Sequence, residues 1–202
     1  MTPAPFSPPS FVPTAAGFEV ERQWRAHPSL RLPLALGEWR AVDDRSERLV
    51  DHYYDTADLE LDRQRARLRL RTADALELAT LKRRVTSRAG LRRRVEIEGP
   101  CHGDPETSVA FVAARLLTLH PLVEIGRIVT ARHARVYARG ERTVEVVRDQ
   151  VSYPVGEDEW RLEAEGDPGD VREIGGLLDR LPLGLAPVGR GKVRTLLQRS
   201  AA

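Results

Sequence analysis

Arg65, Arg67, Arg69 and Arg71 occupy alternate positions, and the same two-residue spacing carries carboxylates at Glu19/Glu21, Glu96/Glu98 and Glu163/Glu165. Successive side chains on a strand point to opposite faces, so each segment gathers its like charges on one face and leaves the other to residues such as Leu, Val and Ala. On a helix the same spacing would spread the charge around the circumference. The chain is thereby constrained to a sheet with several one-sided charged strands. What it folds into turns on whether those faces look out to water or inward at one another.

The rest of the sequence supplies enough strands for either outcome. Strand patterning is read at Phe18–Arg25, Arg48–Tyr54, Arg65–Thr72, Leu76–Arg84, Leu91–Gly99, Ile128–Ala138, Arg142–Asp149 and Trp160–Glu165, with turn signals at Ala73-Asp74, Arg139-Gly140 and Gly156 to Asp158. A short helix is predicted around Leu34–Trp39. A second follows Asp104-Pro105-Glu106, which reads as an N-cap, a proline and an early acid ahead of Val109, Val112, Leu116, Leu117 and Leu119. A third is predicted over about Pro168–Leu181, capped by Asp167, with Val171, Ile174, Leu177, Leu178 and Leu181 on one side. No Gly-rich phosphate loop and no βαβ alternation points to a parallel nucleotide-binding sheet. The predicted fold class is α+β, mostly antiparallel β: a sheet of about eight strands, curled or closed into a barrel, with helices packed outside.

Residues 1–17, with Pro3, Pro5, Pro8, Pro9 and Pro13, read as a flexible tail, and residues 18–202 as one domain. Of 202 residues, 32 are Lys or Arg and 30 Asp or Glu, so the net charge of +2 offers little long-range field for nucleic acid. The single Cys101 can form neither an internal disulfide nor a thiolate zinc site. With no apolar stretch of membrane-spanning length and no secretory leader pattern, the expectation is a cytoplasmic protein, monomeric or homodimeric, without membrane or nucleic-acid partners. His27, His52, His102, His120 and His133 have no metal-ligand spacing and are read as structural.

Taken singly, a Glu-x-Glu strand is most often the wet face of a sheet, and Arg63 to Arg71 fits a solvated or RNA-facing strand as well as a phosphate cradle. The joint pattern says more. If Glu19/Glu21, Arg69/Arg71, Lys82, Arg92/Arg94/Glu96/Glu98, Asp149 and Glu163/Glu165 line one tunnel, both signs suit a polyanion with a hard cation. Arginine forks grip phosphate oxygens, and paired glutamates supply oxygen ligands for Mg²⁺ or Mn²⁺.

At this point the residues resemble a known family. Glu19 to Trp24 is similar to the opening ExExK-plus-aromatic strand of the CYTH superfamily, the triphosphate tunnel metalloenzymes, and Tyr53 to Leu61 resembles its YFDTPDLxL segment. Leu68 to Arg71, Thr80-Leu81-Lys82, Arg94/Glu96/Glu98, Arg135, Val147 to Asp149, Arg161 to Glu165 and Gly191-Lys192 follow in the same order. The resemblance covers about residues 18 to 197 and implies an eight-stranded tunnel that takes a small triphosphate or polyphosphate with one or two divalent metals, Mg²⁺ or Mn²⁺. It implies Glu19, Glu21, Glu163 and Glu165 as metal ligands, supported by Asp149 and Glu96 or Glu98. Arg69, Arg71, Lys82, Arg94, Arg135 and Lys192 would bind substrate, and Glu19, Glu21, Lys82 and Asp149 would be catalytic. The family's activities include inorganic and thiamine triphosphatases and class IV adenylate cyclases. A triphosphatase acting on tripolyphosphate is favoured here, because no aromatic platform for an organic head group is evident.

One position departs from the pattern. Where the opening motif has a lysine this chain has Gln23, an amide that supplies no charge. The expectation is lowered activity, or a site that binds polyphosphate or a nucleotide without turning it over.

Overall fold

In the computed structural model the alternation resolves into ten strands: β1 (Gly17–Arg25), β2 (Ala35–Leu36), β3 (Trp39–Asp55), β4 (Ala66–Ala73), β5 (Leu76–Arg88), β6 (Leu91–Pro100), β7 (Val123–Arg139), β8 (Arg142–Ser152), β9 (Glu159–Gly166) and β10 (Ala186–Pro187). The structure describes residues 17–73, 76–88, 91–188 and 190–200, with backbone alone for 17–19 and 86–88. The predicted tail, apart from Gly17, and Asp74 of a predicted turn lie outside these residues. All the strand pairings are antiparallel, in the order β1-β6-β5-β4-β3-β7-β8-β9. β9 then returns to β1, with Glu165 opposite Glu21 and Glu163 opposite Gln23. Eight strands therefore close on themselves, while the two-residue β2 and β10 pair onto β3 and β1. Closure removes the exposed edges that a flat sheet would present.

The apolar core sits mainly outside the barrel wall. The outward-facing Ala66, Leu68 and Leu70 of β4, with Ala79 and Leu81 of β5, are buried under α2 (Val109–Arg115) through Ala110, Phe111 and Ala114. On the opposite side Trp24, Trp39, Tyr137, Val144, Val146 and Leu162 pack with Val171, Ile174 and Leu178 of α3 (Pro168–Arg180). Burying each such Leu or Ile contributes roughly 1.5–3 kcal/mol. Because these faces satisfy the hydrophobic requirement outside, the charged faces are left to line the interior. A third cluster closes part of the barrel: Val193 and Leu196 of α4 (Lys192–Ser200) pack on Tyr53, Ile128, Val151 and Tyr153.

Three local readings differ from the sequence expectation. Leu34–Trp39 is not a helix. Gly37, at φ 58°, turns the chain so that Leu36 pairs with Trp39, and both apolar side chains enter the core. β3 runs for 17 residues rather than the seven of Arg48–Tyr54, because its polar first half pairs along β7 and needs no buried alternation to be held. The helix after Asp104 is also shorter and rotated. Asp104 caps only a 3₁₀ turn at Pro105–Thr107, and Ser108 caps α2 through the amide of Phe111. Val109, Val112, Leu116 and Leu119 consequently face solvent. The small Ala110 and Ala114 let the helix approach the sheet, and a Cβ at Gly99 would stand 2.8 Å from Val109. α3 follows its prediction, with the Asp167 carboxylate accepting from the amide of Gly169 at 2.8 Å.

The Tyr53 to Leu61 segment has a structural explanation. Asp55, buried, accepts from the amides of Thr56 and Leu61 at 2.8 Å and of Asp62 at 2.9 Å, fixing the short α1 (Glu60–Arg63) at the exit of β3. None of the helices among the described residues is long and apolar enough to cross a membrane.

Candidate active site

The barrel interior holds a cavity of about 620 Å³. Among the described residues its lining carries thirteen Lys or Arg side chains against five Glu, so it is a cationic chamber with a localised acidic patch. The patch arises where β1 and β9 close the barrel. Register places Glu21 opposite Glu165, and Glu163 one step along the seam. Glu21, Glu163 and Glu165 each offer a carboxylate oxygen within 4.8 Å of the others'. Three hard oxygen donors at this spacing, two of them buried, fit a hard divalent cation such as Mg²⁺ or Mn²⁺.

Cations stand beside two of these acids. Arg94 Nη1 donates to Glu21 Oε2 at 2.5 Å, and Lys192 Nζ lies 3.7 Å from Glu163 Oε1. Burial pushes the Glu163 carboxyl up, yet the Lys192 ammonium and the Arg132 guanidinium outweigh it and bring the group below its ordinary value.

Two fully engaged aspartates brace the cations from beneath. Asp149 is completely buried and accepts both forks of Arg132 at 2.9 Å as well as Lys192 Nζ at 2.7 Å. Asp51, also buried, accepts Arg71 Nε at 2.7 Å and Nη2 at 2.9 Å, with Arg69 Nη1 at 3.7 Å from the same carboxylate. Burial favours the neutral acid in both. The attached cations win and hold each carboxyl well below the usual carboxylate range. Tyr53, whose hydroxyl is 3.5 Å from Asp51, is pushed up to about 12, first by burial and then by that charge. Arg69 Nε is buried, and among the described residues it has no hydrogen-bond partner. The rest of the Arg69 side chain lines the chamber, where its guanidinium can meet an anionic ligand.

Lys82, Arg69, Arg71, Arg94 and Lys192 thus line the chamber as the sequence suggested. Glu19 lies in β1 opposite Arg94, but its side chain is outside the described atoms. Three assignments read differently against the geometry. Arg135 points away from the chamber and donates to the carbonyl of Leu32 at 2.5 Å and to Asp44. Alternation explains this, for Arg132 is the inward residue and a position three further along a strand falls on the other face. Asp149 is not part of the carboxylate cluster, since its oxygens are taken by cations, and its place is to orient Arg132 and Lys192. Glu96 and Glu98 line the chamber but stand on another stretch of wall, with Lys82 Nζ 3.4 Å from Glu96 and Thr80 Oγ1 donating to Glu98 at 2.8 Å. Arg65 and Arg67, of the same alternating run, line the chamber as well. Asp51 and Arg132 escaped the sequence reading. Asp51 shares its parity with Leu49 and Tyr53, which was a usable signal, whereas Arg132 is marked only by its pairing with Asp149.

A closed antiparallel barrel whose interior carries a cationic wall and a three-carboxylate cluster defines a class of charged-tunnel proteins. The chain belongs to the CYTH domain family, whose model matches residues 17–174. Its fold is similar to that of HpAC1 from Hippeastrum, described as a candidate adenylyl cyclase with a dominant triphosphatase activity (TM-score 0.67, 19% identity, 89% of this chain and 95% of that one). It is equally similar to a candidate adenylate cyclase from Bacillus halodurans (TM-score 0.66, 20% identity, 90% and 98% covered). PH1819 of Pyrococcus horikoshii is more distant (TM-score 0.55, 19% identity, 89% and 98% covered). No curated protein sequence matches the chain. At these identities the likeness is one of fold.

Proposed function

We propose that the chamber binds a small triphosphate with a divalent metal and hydrolyses a phosphoanhydride bond, water adding to phosphorus as phosphate leaves. The observation that carries this reading is the pairing, across one cavity, of the Glu21/Glu163/Glu165 cluster with a cationic wall. Those three glutamates would hold Mg²⁺ or Mn²⁺, and a metal bound there supplies Lewis-acid charge to the phosphate oxygens. Arg69, Arg71, Arg94, Arg132, Lys82 and Lys192 neutralise the phosphate chain and fix it in line, which is most of what phosphoryl transfer asks of a protein. Asp51 and Asp149 keep four of these cations aimed without competing for the metal. Tripolyphosphate is favoured over an organic triphosphate because Tyr53, the aromatic residue on the described lining, is only 6% exposed and offers no stacking face.

The test is phosphate release from tripolyphosphate, thiamine triphosphate and ATP under Mg²⁺ and Mn²⁺, with and without EDTA, by wild type and Glu163→Gln/Glu165→Gln. Hydrolysis should be abolished by EDTA and fall by more than about 100-fold in the variant, since loss of mere outer-sphere partners already costs ~10–100-fold. Equal rates in all arms would remove the proposal. A binding-only module is the second reading, favoured by the uncharged Gln23, and metal-dependent binding of tripolyphosphate without release would establish it.

A further inference from the structure

Gln23 lies on the chamber wall between two groups of opposite need. Its Nε2 donates to Glu163 Oε1 at 3.0 Å, while its Oε1 accepts from Arg92 Nη1. A guanidinium can only donate and an ionised carboxylate can only accept, so the bridging side chain must offer one donor and one acceptor at the same reach. Glutamine does this. A lysine would bring an ammonium against Arg92 with no acceptor to offer it, and a glutamate would set a second carboxylate against Glu163.

Arg92 is held from further directions. It faces Glu21 across the β1–β6 pairing, its Nη1 lies 3.7 Å from Glu21 Oε1, and its Nη2 reaches the carbonyl of Val188 at 3.4 Å. The chain Glu21, Arg92, Gln23, Glu163 therefore links two members of the carboxylate cluster through a cation and an amide. An anchored carboxylate has less rotamer freedom to lose when it takes up a metal, and this is how outer partners raise metal affinity.

We infer that Gln23 is a positioning residue of the metal end of the chamber, holding Glu163 for the cation and Arg92 for the phosphate, so that Arg92 brings the positive charge the amide lacks. The inference rests on the proposed function for its ligands but on these contacts for its geometry. It reverses the expectation drawn from the sequence alone: restoring a charge at position 23 should harm the site.

The experiment titrates Mn²⁺ calorimetrically into wild type, Gln23→Lys, the near-isosteric Gln23→Met, Arg92→Gln and the exchange variant Gln23→Lys/Arg92→Gln, and measures tripolyphosphate hydrolysis by each. All three single variants should bind Mn²⁺ about 10–100-fold more weakly, in the range set by lost outer-sphere partners, with circular dichroism unchanged. The exchange variant, which returns a donor and an acceptor to the bridge, should recover most of that loss. A merely structural glutamine would show neither the Mn²⁺ effect nor the recovery. The inference is overturned if Gln23→Lys binds Mn²⁺ as tightly as wild type, or if the exchange recovers nothing. Gln23→Met keeps the test open should a charged variant fail to fold, because unchanged Mn²⁺ affinity in it also overturns the inference. Wild type whose Mn²⁺ affinity depends on Gln23 as expected, yet which releases no phosphate, would remove the hydrolase reading and leave this one standing.

Discussion

Asp51 shows what a charged interior demands of single residues. It is 1% exposed, and its carboxylate neutralises Arg71 directly and Arg69 at slightly longer range. Removing one partner of such a buried pair leaves an uncompensated charge and costs about 3–5 kcal/mol. The pH dependence follows from the direction of its shift. A carboxyl held below its ordinary value of about 4 contributes stability that is fully present above that value and is lost as the pH falls through the depressed native one. Asp51→Asn should therefore lower the urea midpoint at pH 7, and the gap from wild type should narrow as the pH is taken below about 4. A constant gap across that range would place the stabilisation elsewhere. The same residues show how far single-residue reading reached. Arg69 and Arg71 were legible because alternation and spacing sufficed, whereas Arg132 was passed over for Arg135. Choosing between those two requires knowing which face of β7 meets Asp149, and that is a property of strand pairing.

At the scale of elements, α4 joins stability to binding. Its first residue, Lys192, reaches Asp149, and its Leu196 is 1% exposed against the strand ends. A Cβ on Gly126, whose φ is 149°, would stand 2.8 Å from the Leu196 side chain, so helix and barrel meet with no room to spare. Leu196→Ala should cost about 2–5 kcal/mol by urea denaturation. It should also weaken tripolyphosphate binding by loosening the seat of Lys192. Unchanged affinity in a destabilised variant would show that Lys192 is placed by Asp149 alone. The sequence offered no expectation for this helix, since nine residues with Lys and Arg interleaved among three apolar positions make a weak periodic signal. α2 failed for a different reason. Its larger apolar residues suggested a buried face, but the close approach to the sheet selected the side with Ala110 and Ala114, and local hydrophobicity does not report approach distance.

For the whole molecule, a chamber that gathers like charges is strained without a ligand to balance them, and a ligand that binds only the folded state must stabilise it. At a hundredfold excess over Kd the gain is about 2.7 kcal/mol, which in a domain of this size raises the melting temperature by about 5–10 °C. Tripolyphosphate with Mn²⁺ should produce this shift in differential scanning fluorimetry, and Glu163→Gln/Glu165→Gln should abolish most of its metal-dependent part. No shift at saturating ligand would argue against an intact site.

The sequence by itself determined a mostly antiparallel sheet with one-sided charged strands, because a period of two is a local property that every strand carries in its own residues. It also contained the ordered motifs of the family. Only the tertiary structure decided which charges meet. Closure of β9 on β1 brings Glu163 and Glu165 to Glu21 across more than 140 residues of chain, assigns Asp149 to cations rather than metal, and sets Gln23 between Arg92 and Glu163. The physical reason is that an electrostatic site is defined by distances of a few ångströms between strands remote in sequence, and those distances exist only once register and closure are fixed.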